Sequence, residues 1–370
     1  MTSAETGINK VSSRFGAFQA YPRNMWYVAA GRSEVTEKPM GRRLVDTPVV
    51  LFRKQDGGVV AMRDGCPHRG YPLSKSTVKG DTIQCRYHGI TFNAQGRCIH
   101  MPVNPGTAIS DAMRVTVYPT VEKWHWVWIW LGDASKADPS LIPDFECERY
   151  EHYDHCFYSP LGPFHGSLQL LNDNLCDATH TSFLHAGLLD DADDTQMALA
   201  EVQVDRMEDR VVRITRDMMN FVPNEDVARL YHLRAGERYN RRLEVWHHFP
   251  HALTAFNRYY TYTERFDREH AGELAAEHIT ALGLTPASHN QSYHFTAAST
   301  SWEQTDIDRE GLLFVIQQDI EAFGEIQTYF ENYGDGAVEV SVPSDRLGML
   351  SRRIINEMVR REQAQQGAAA

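Results

Sequence analysis

Cys66-Pro67-His68-Arg69-Gly70 and Cys85-Arg86-Tyr87-His88-Gly89 are two halves of one pattern: Cys-x-His, sixteen residues, then Cys-x-x-His. Each half offers one thiolate and one imidazole. Two soft sulfur ligands and two imidazoles suit a [2Fe–2S] cluster in which cysteines hold one iron and histidines the other. The rival is a structural zinc site. Zinc fingers, however, commonly place two close cysteines before two close histidines, whereas each short loop here mixes one of each kind. Pro67, Gly70 and Gly89 are turn formers, as loops that clamp a metal group require.

The flanks of these loops read as strands. Residues 43–52 and 59–63 surround Gln55-Asp56-Gly57-Gly58, a hairpin signal, and the second of them runs straight into the first ligand loop. Residues 82–84 lead into the second loop, and 90–99 form another hairpin turning at Asn93-Ala94-Gln95-Gly96. Strands are also expected at 114–118 and 124–131. In the latter Trp124, Trp126, Trp128 and Trp130 alternate and so share one face. Residues 1–40 hold a polar tail, then an aromatic opening segment around Tyr21, Trp26 and Tyr27 that should pack on this first domain. From Gly132 the chain turns polar, with Pro139 and Pro143, which sets a boundary near 150. The expected divisions are 1–40, 41–150 and 151–370.

A chain of 370 residues with 42% hydrophobic content can bury two sizeable cores. Its formal charge of −12 argues against nucleic acid as a partner. The start, MTSAETGINKVSS, lacks the basic-then-apolar order of a secretion signal, and no apolar run approaches the ~20 residues that cross a bilayer. A soluble cytoplasmic protein without membrane contact is expected. Cys98, Cys147, Cys156 and Cys176 read as reduced structural thiols.

A second constellation lies beyond the boundary. Leu168, Leu171 and Leu175 have helical spacing, and Asn174, Asp177 and His180 recur every third position as a second ridge. A polar ridge is usually a wet face, but this one has no Lys, Arg or Glu. His180 and His185 are five apart, about 140° around a regular helix, so they converge only at an irregularity or a helix end. Far along the chain, Leu312, Ile316, Ile320 and Phe323 mark a buried helix face that includes Asp319. An inward carboxylate is costly unless it is hydrogen-bonded at a helix contact or holds a metal. Two histidines and a carboxylate form the facial triad of mononuclear Fe(II) oxygenases. Histidines 247, 248, 251, 278, 289 and 294 read instead as sheet-surface or pocket-polar residues.

With both constellations in view, the chain resembles the oxygenase component of a Rieske non-haem iron oxygenase. Asp177-Ala178-Thr179-His180 and then His185 match the family pattern Asp-x-x-His-x-x-x-x-His position for position. Pro22-Arg23-Asn24-Met25-Trp26-Tyr27-Val28-Ala29 and Asn174-Leu175-Cys176-Asp177 are similar to the vanillate and dicamba demethylase branch. Arg86 and Ile90 depart from the residues common around the second ligand loop.

The resemblance implies an α+β chain: a Rieske all-β domain, then a catalytic domain with a curved antiparallel sheet of helix-grip type. It implies that Cys66, His68, Cys85 and His88 hold the [2Fe–2S] cluster, and that His180, His185 and Asp319 hold a mononuclear Fe(II). A separate reductase, with or without a ferredoxin, would bring electrons from NAD(P)H, and O₂ would be co-substrate. Asp177 would link the cluster of one subunit to the iron of its neighbour in a homotrimer. Asn174 is either a donor near the iron or an ordinary helix-surface amide. The implied activity is monooxygenation of a small aromatic, by O- or N-demethylation or methyl hydroxylation. Ring cis-dihydroxylation is the nearest alternative, and a pure electron-transfer protein or a zinc module are more distant ones.

Overall fold

The computed structural model describes residues 21–369 apart from 187 and 190–195. The start of the expected 1–40 segment therefore lies outside the described residues.

The first half is built from short strands in three sheets. Met40–Leu44, Thr47–Arg53, Val59–Arg63 and Val117–Tyr118 form one; Thr77–Lys79, Thr82–Gln84, Thr91–Asn93 and Cys98–His100 form the second. Both expected hairpins are present. Their apolar residues, among them Phe52, Met62, Ile83 and Phe92, bury Cys66 and Cys85 in one small core. The third sheet pairs Trp26–Gly31 with Trp126–Trp130 and Thr120–Lys123. Three expectations are corrected here. The strand expected at 43–52 is two, Met40–Leu44 and Thr47–Arg53, because Val45 and Asp46 turn the chain at φ +48 and +59. The tryptophan strand begins only at Trp126, because Trp124 and His125 turn the chain at φ +57 and +59. The strand expected at 114–118 is only Val117–Tyr118.

The second half centres on an eight-stranded antiparallel sheet running from Asp154–Phe157 through Gln291–Thr300, Leu274–Ser288, Ala252–Thr261, Tyr239–His248 and Val211–Phe221 to Val202–Arg206, with Leu161–His165 also paired to Gln291–Thr300. Register assigns its faces. On one face Asp217 pairs with Arg242, and Arg258 with Glu277, across neighbouring strands. On that same face Gly283 meets the opening segment, where a Cβ would lie 2.5 Å from Val28 Cγ2. Thr285 Oγ1 donates to the Val28 carbonyl at 2.7 Å, so the tryptophan sheet and the large sheet share one core. The other face carries aligned rows, Leu243–Asn257–His278–Thr300 and Val245–Ala255–Thr280–Ala298.

Helices cover that second face: α1 (Leu168–Cys176), α2 (Thr181–Leu184), α3 (Gln196–Leu199), α4 (Glu225–Leu230), the long α5 (Asp306–Tyr333) and α6 (Arg346–Ala369). α5 starts with a capping box in which Thr305 and Asp308 satisfy each other's backbone N–H groups. α6 packs on α1, burying Leu347, Ile354 and Ile355. Its Glu362 accepts the N–H groups of Arg23 and Asn24, which ties the last helix to the opening segment. No helix among the described residues is long and apolar enough to cross a membrane.

Candidate metal centres

The two cluster loops fold alike. In each, the glycine N–H donates to the cysteine carbonyl, Gly70 to Cys66 at 2.8 Å and Gly89 to Cys85 at 2.9 Å. Both glycines are left-handed, at φ +73 and +69, a conformation that costs other residues. Cys66 and Cys85 are buried, while His68 and His88 lie at the surface with their Nδ1 atoms 3.2 Å apart. Burial pushes the Cys66 thiol up to about 11, opposed by the backbone N–H groups of His68 and Arg69. Two sulfurs below and two imidazoles that turn the same nitrogen to one point fit a [2Fe–2S] group ligated two and two.

The second centre depends on a broken helix. The sequence suggests one polar ridge through Asn174, Asp177 and His180, but α1 stops at Cys176 and Asp177 is extended at φ −106, ψ 103. The four-residue α2 then separates His180 from His185, one at each end. That break turns residues 140° apart on a regular helix toward one point, with ring centroids 5.3 Å apart. α5 brings Asp319 between them: Oδ1 lies 3.1 Å from His185 Nε2 and 3.5 Å from His180 Nε2. One ligand atom from each of the three residues lies within 4.8 Å of the others. Burial works to raise the Asp319 carboxyl, but hydrogen bonds and charge from His180 and His185 outweigh it and hold it well below the usual range. His180 Nδ1 is buried without a hydrogen-bond partner among the described residues. Two imidazoles and a carboxylate with an unmet outer nitrogen suit Fe(II).

Asn174 joins this group, donating from Nδ2 to Asp319 Oδ1 at 2.9 Å. Asp177 does not. Its carboxylate accepts the Thr179 N–H and lines a groove of about 360 Å³ between α1, α5 and α6, alongside His180, Glu339 and Arg352. Gln318 was not foreseen; its Oε1 meets His185 Nδ1 at 2.9 Å and fixes that ring. Its only sequence signal is adjacency to Asp319. His294 is buried on the inner face of the sheet with Nδ1 2.9 Å from Thr296 Oγ1. Burial holds it down to about 4, against the charge of Asp319. Of the remaining histidines, 247 and 251 are fully buried rather than at the sheet surface.

Comparison with known proteins follows the same two-part layout. Residues 25–119 match the Rieske [2Fe-2S] domain, and residues 164–361 match the vanillate O-demethylase oxygenase C-terminal domain. The chain is 41% identical over 174 residues to the oxygenase component of dicamba O-demethylase from Stenotrophomonas maltophilia, a match spanning 45% of this chain and 48% of that protein. It is 26% identical over 357 residues to a vanillate O-demethylase oxygenase subunit of a Pseudomonas species, spanning 94% of this chain and 98% of that one. A crystal structure of dicamba monooxygenase with 3,6-dichlorosalicylic acid aligns with a TM-score of 0.81 at 26% identity, over 94% of this chain and 99% of that chain. The class is therefore a Rieske non-haem iron oxygenase component, an oxidoreductase with a [2Fe–2S] cluster and a mononuclear iron. Within that class the chain belongs to the vanillate O-demethylase oxygenase family. The expected fold is borne out.

Proposed function

We propose that this chain is the terminal oxygenase of a multicomponent system that demethylates a small aromatic at oxygen or nitrogen, or hydroxylates an aryl methyl group. The observation that carries the reading is the convergence of His180, His185 and Asp319 in a chain that also presents the two cluster loops. We assign the cluster to Cys66, His68, Cys85 and His88, the iron to His180, His185 and Asp319, and the boundary between the two units to about residue 150. When bound, the iron supplies O₂ activation and the cluster supplies electrons drawn by a reductase from NAD(P)H. The protein's own part is positional. Gln318 orients His185, and Asn174 holds Asp319 Oδ1. Oxidation of a methyl on oxygen or nitrogen gives a hemiacetal or hemiaminal, which collapses to formaldehyde.

Asp177 is assigned as the link between centres of neighbouring subunits in a head-to-tail homotrimer. It would accept from His180 Nδ1, which has no partner among the described residues, and from His88 of the neighbouring subunit. Charge supports that docking. Residues 40–131 hold twelve Lys and Arg against six Asp and Glu, whereas 132–370 hold twenty against forty. Asp177→Asn should keep both metal groups and lose coupled turnover. We place the protein in the cytoplasm, without nucleic-acid or membrane partners.

The test is reconstitution with iron and a reductase, then a screen of methoxylated, N-methylated and methyl-substituted aromatics for O₂ uptake and formaldehyde. Uptake with matching formaldehyde supports demethylation. Uptake with an alcohol product points to methyl hydroxylation. A dihydrodiol product refutes the proposal.

A further inference from the structure

Where the first domain meets the large sheet lies an open groove of about 720 Å³, whose wall carries Lys38, Arg42, Arg43 and Lys75 against one carboxylate, Asp64. Pro163 and Tyr293 of the large sheet close its far side. That balance is opposite to the chain as a whole, whose formal charge is −12. Asp64 is already engaged: its oxygens accept the Ser74 N–H at 2.7 Å and the Ser74 hydroxyl at 2.6 Å. Arg42 is fixed by Glu34 at 2.7 Å and sits 5.2 Å from the centroid of the Tyr293 ring. Arg43 pairs with the exposed Asp46 at 3.0 Å. Among the described residues the only lysine in an ion pair is Lys54, so the exposed Lys38 and Lys75 are uncommitted.

The groove reaches the cluster loops through its own wall. Ser74, Lys75 and Ser76 end a segment that starts at Tyr71 and touches both loops. The Tyr71 carbonyl accepts the Cys66 N–H at 2.9 Å, and Ser76 Oγ accepts the Arg86 N–H at 3.2 Å. The Tyr71 ring lies 6.0 Å from that of Tyr87, which lies 3.8 Å from the ring of His88. A protein seated on Lys75 is therefore separated from the residues assigned to the cluster by one short segment of chain. The tip itself, His68 and His88, faces the neighbouring subunit in the head-to-tail reading, so electrons must enter from another face. Unlike charges attract across about 10 Å at moderate salt, and a basic groove on an acidic chain turns a partner with an acidic face to this one spot.

We propose that this groove is the docking surface for the electron donor, a one-electron iron–sulfur protein with an acidic face, and that Lys38 and Lys75 steer it. One electron leaves the donor's reduced centre and enters the oxidised cluster of this chain; no bond forms or breaks. The inference rests on the reading of Cys66, His68, Cys85 and His88 as cluster ligands and of the tip as covered by the neighbouring subunit. Anaerobic mixing of the loaded protein with a reduced, acidic plant-type [2Fe–2S] ferredoxin as the probe tests it. Rapid-freeze EPR follows the histidine-ligated cluster apart from the all-cysteine cluster of the donor. At about 0.02 M salt, Lys38→Glu and Lys75→Glu should each slow reduction roughly tenfold, and the difference should vanish at about 0.5 M salt. Lys75→Arg should keep the native rate. Lys136→Glu makes the same change of net charge beside α6 and should alter the rate less than about twofold. Dithionite, which needs no docking, should reduce the cluster equally in every variant. No slowing in either lysine-to-glutamate variant, equal slowing by Lys136→Glu, or slowing by Arg86→Glu alone, which places the donor on the tip, overturns the proposal. A native protein in which EPR finds no histidine-ligated cluster overturns the cluster assignment along with it. A cluster reduced by dithionite but indifferent to Lys38 and Lys75 overturns the docking surface alone.

Discussion

Replacing Arg352 with Met removes a guanidinium that ties α6 to α1, the helix just before His180 and His185. Arg352 Nη2 lies 2.6 Å from Asp173 Oδ2, and Nη1 lies 2.9 Å from Glu339 Oε2. The three side chains are 17%, 21% and 26% exposed respectively. Breaking a fully buried pair costs about 3–5 kcal/mol and an exposed one about 0–1 kcal/mol. At this intermediate burial, with Met keeping the aliphatic contact, the loss should be about 2–3 kcal/mol. The cost must also depend on pH. Burial pushes the Asp173 carboxyl up to about 6 even with Arg352 beside it. A group whose folded pKa is raised contributes stability at low pH that is lost as pH rises through the folded value. Without the guanidinium that value rises further, so the penalty is smallest at about pH 5 and largest at about pH 8. Urea unfolding followed by circular dichroism at both pH values reads the difference. A penalty under about 0.5 kcal/mol, or one equal at the two pH values, would refute the reasoning.

Four further outcomes are expected. Asn174→Ala frees Asp319 Oδ1 from its 2.9 Å hydrogen bond and should weaken iron retention about 10–100-fold in chelator competition, leaving the cluster spectrum intact. Burial pushes the Glu148 carboxyl up to about 8, so its contribution to stability is lost as pH rises through that value. Glu148→Gln should accordingly be near neutral at about pH 5 and raise Tm by roughly a few degrees at about pH 8.5, as calorimetry would detect. In Gly89→Ala the new Cβ would stand 2.8 Å from Pro102 Cγ at φ +69, costing about 1–3 kcal/mol and bleaching the cluster at lower temperature. Gly70→Ala, with open space at φ +73, should cost only about 1–2 kcal/mol.

The metal chemistry was legible because each cluster loop is local, and because Asp319 sits on an apolar helix face where a carboxylate is conspicuous. The hairpins were legible from their turns. What was hidden depends on contacts across long separations. The break after Cys176 has no proline or glycine to announce it; α1 ends where Asp177 turns extended beneath α5. Gln318 meets His185 across 133 positions, and Trp302, just past the strand Gln291–Thr300, nears His278 only because that strand pairs with Leu274–Ser288. The alternating tryptophans show that they share a face but not what that face meets: their core continues into the large sheet through Val28 and Gly283. A close approach that needs a missing Cβ leaves no periodic trace.

The most direct test of the central claim, two separate metal centres in one chain, is iron and acid-labile sulfide content in the native protein and in Asp319→Ala. The account predicts about three irons and about two sulfides per native chain. Asp319→Ala should lose one iron and keep the sulfide and the visible spectrum. Zinc in either centre, an unchanged iron count in the variant, or loss of the cluster along with the single iron would contradict it.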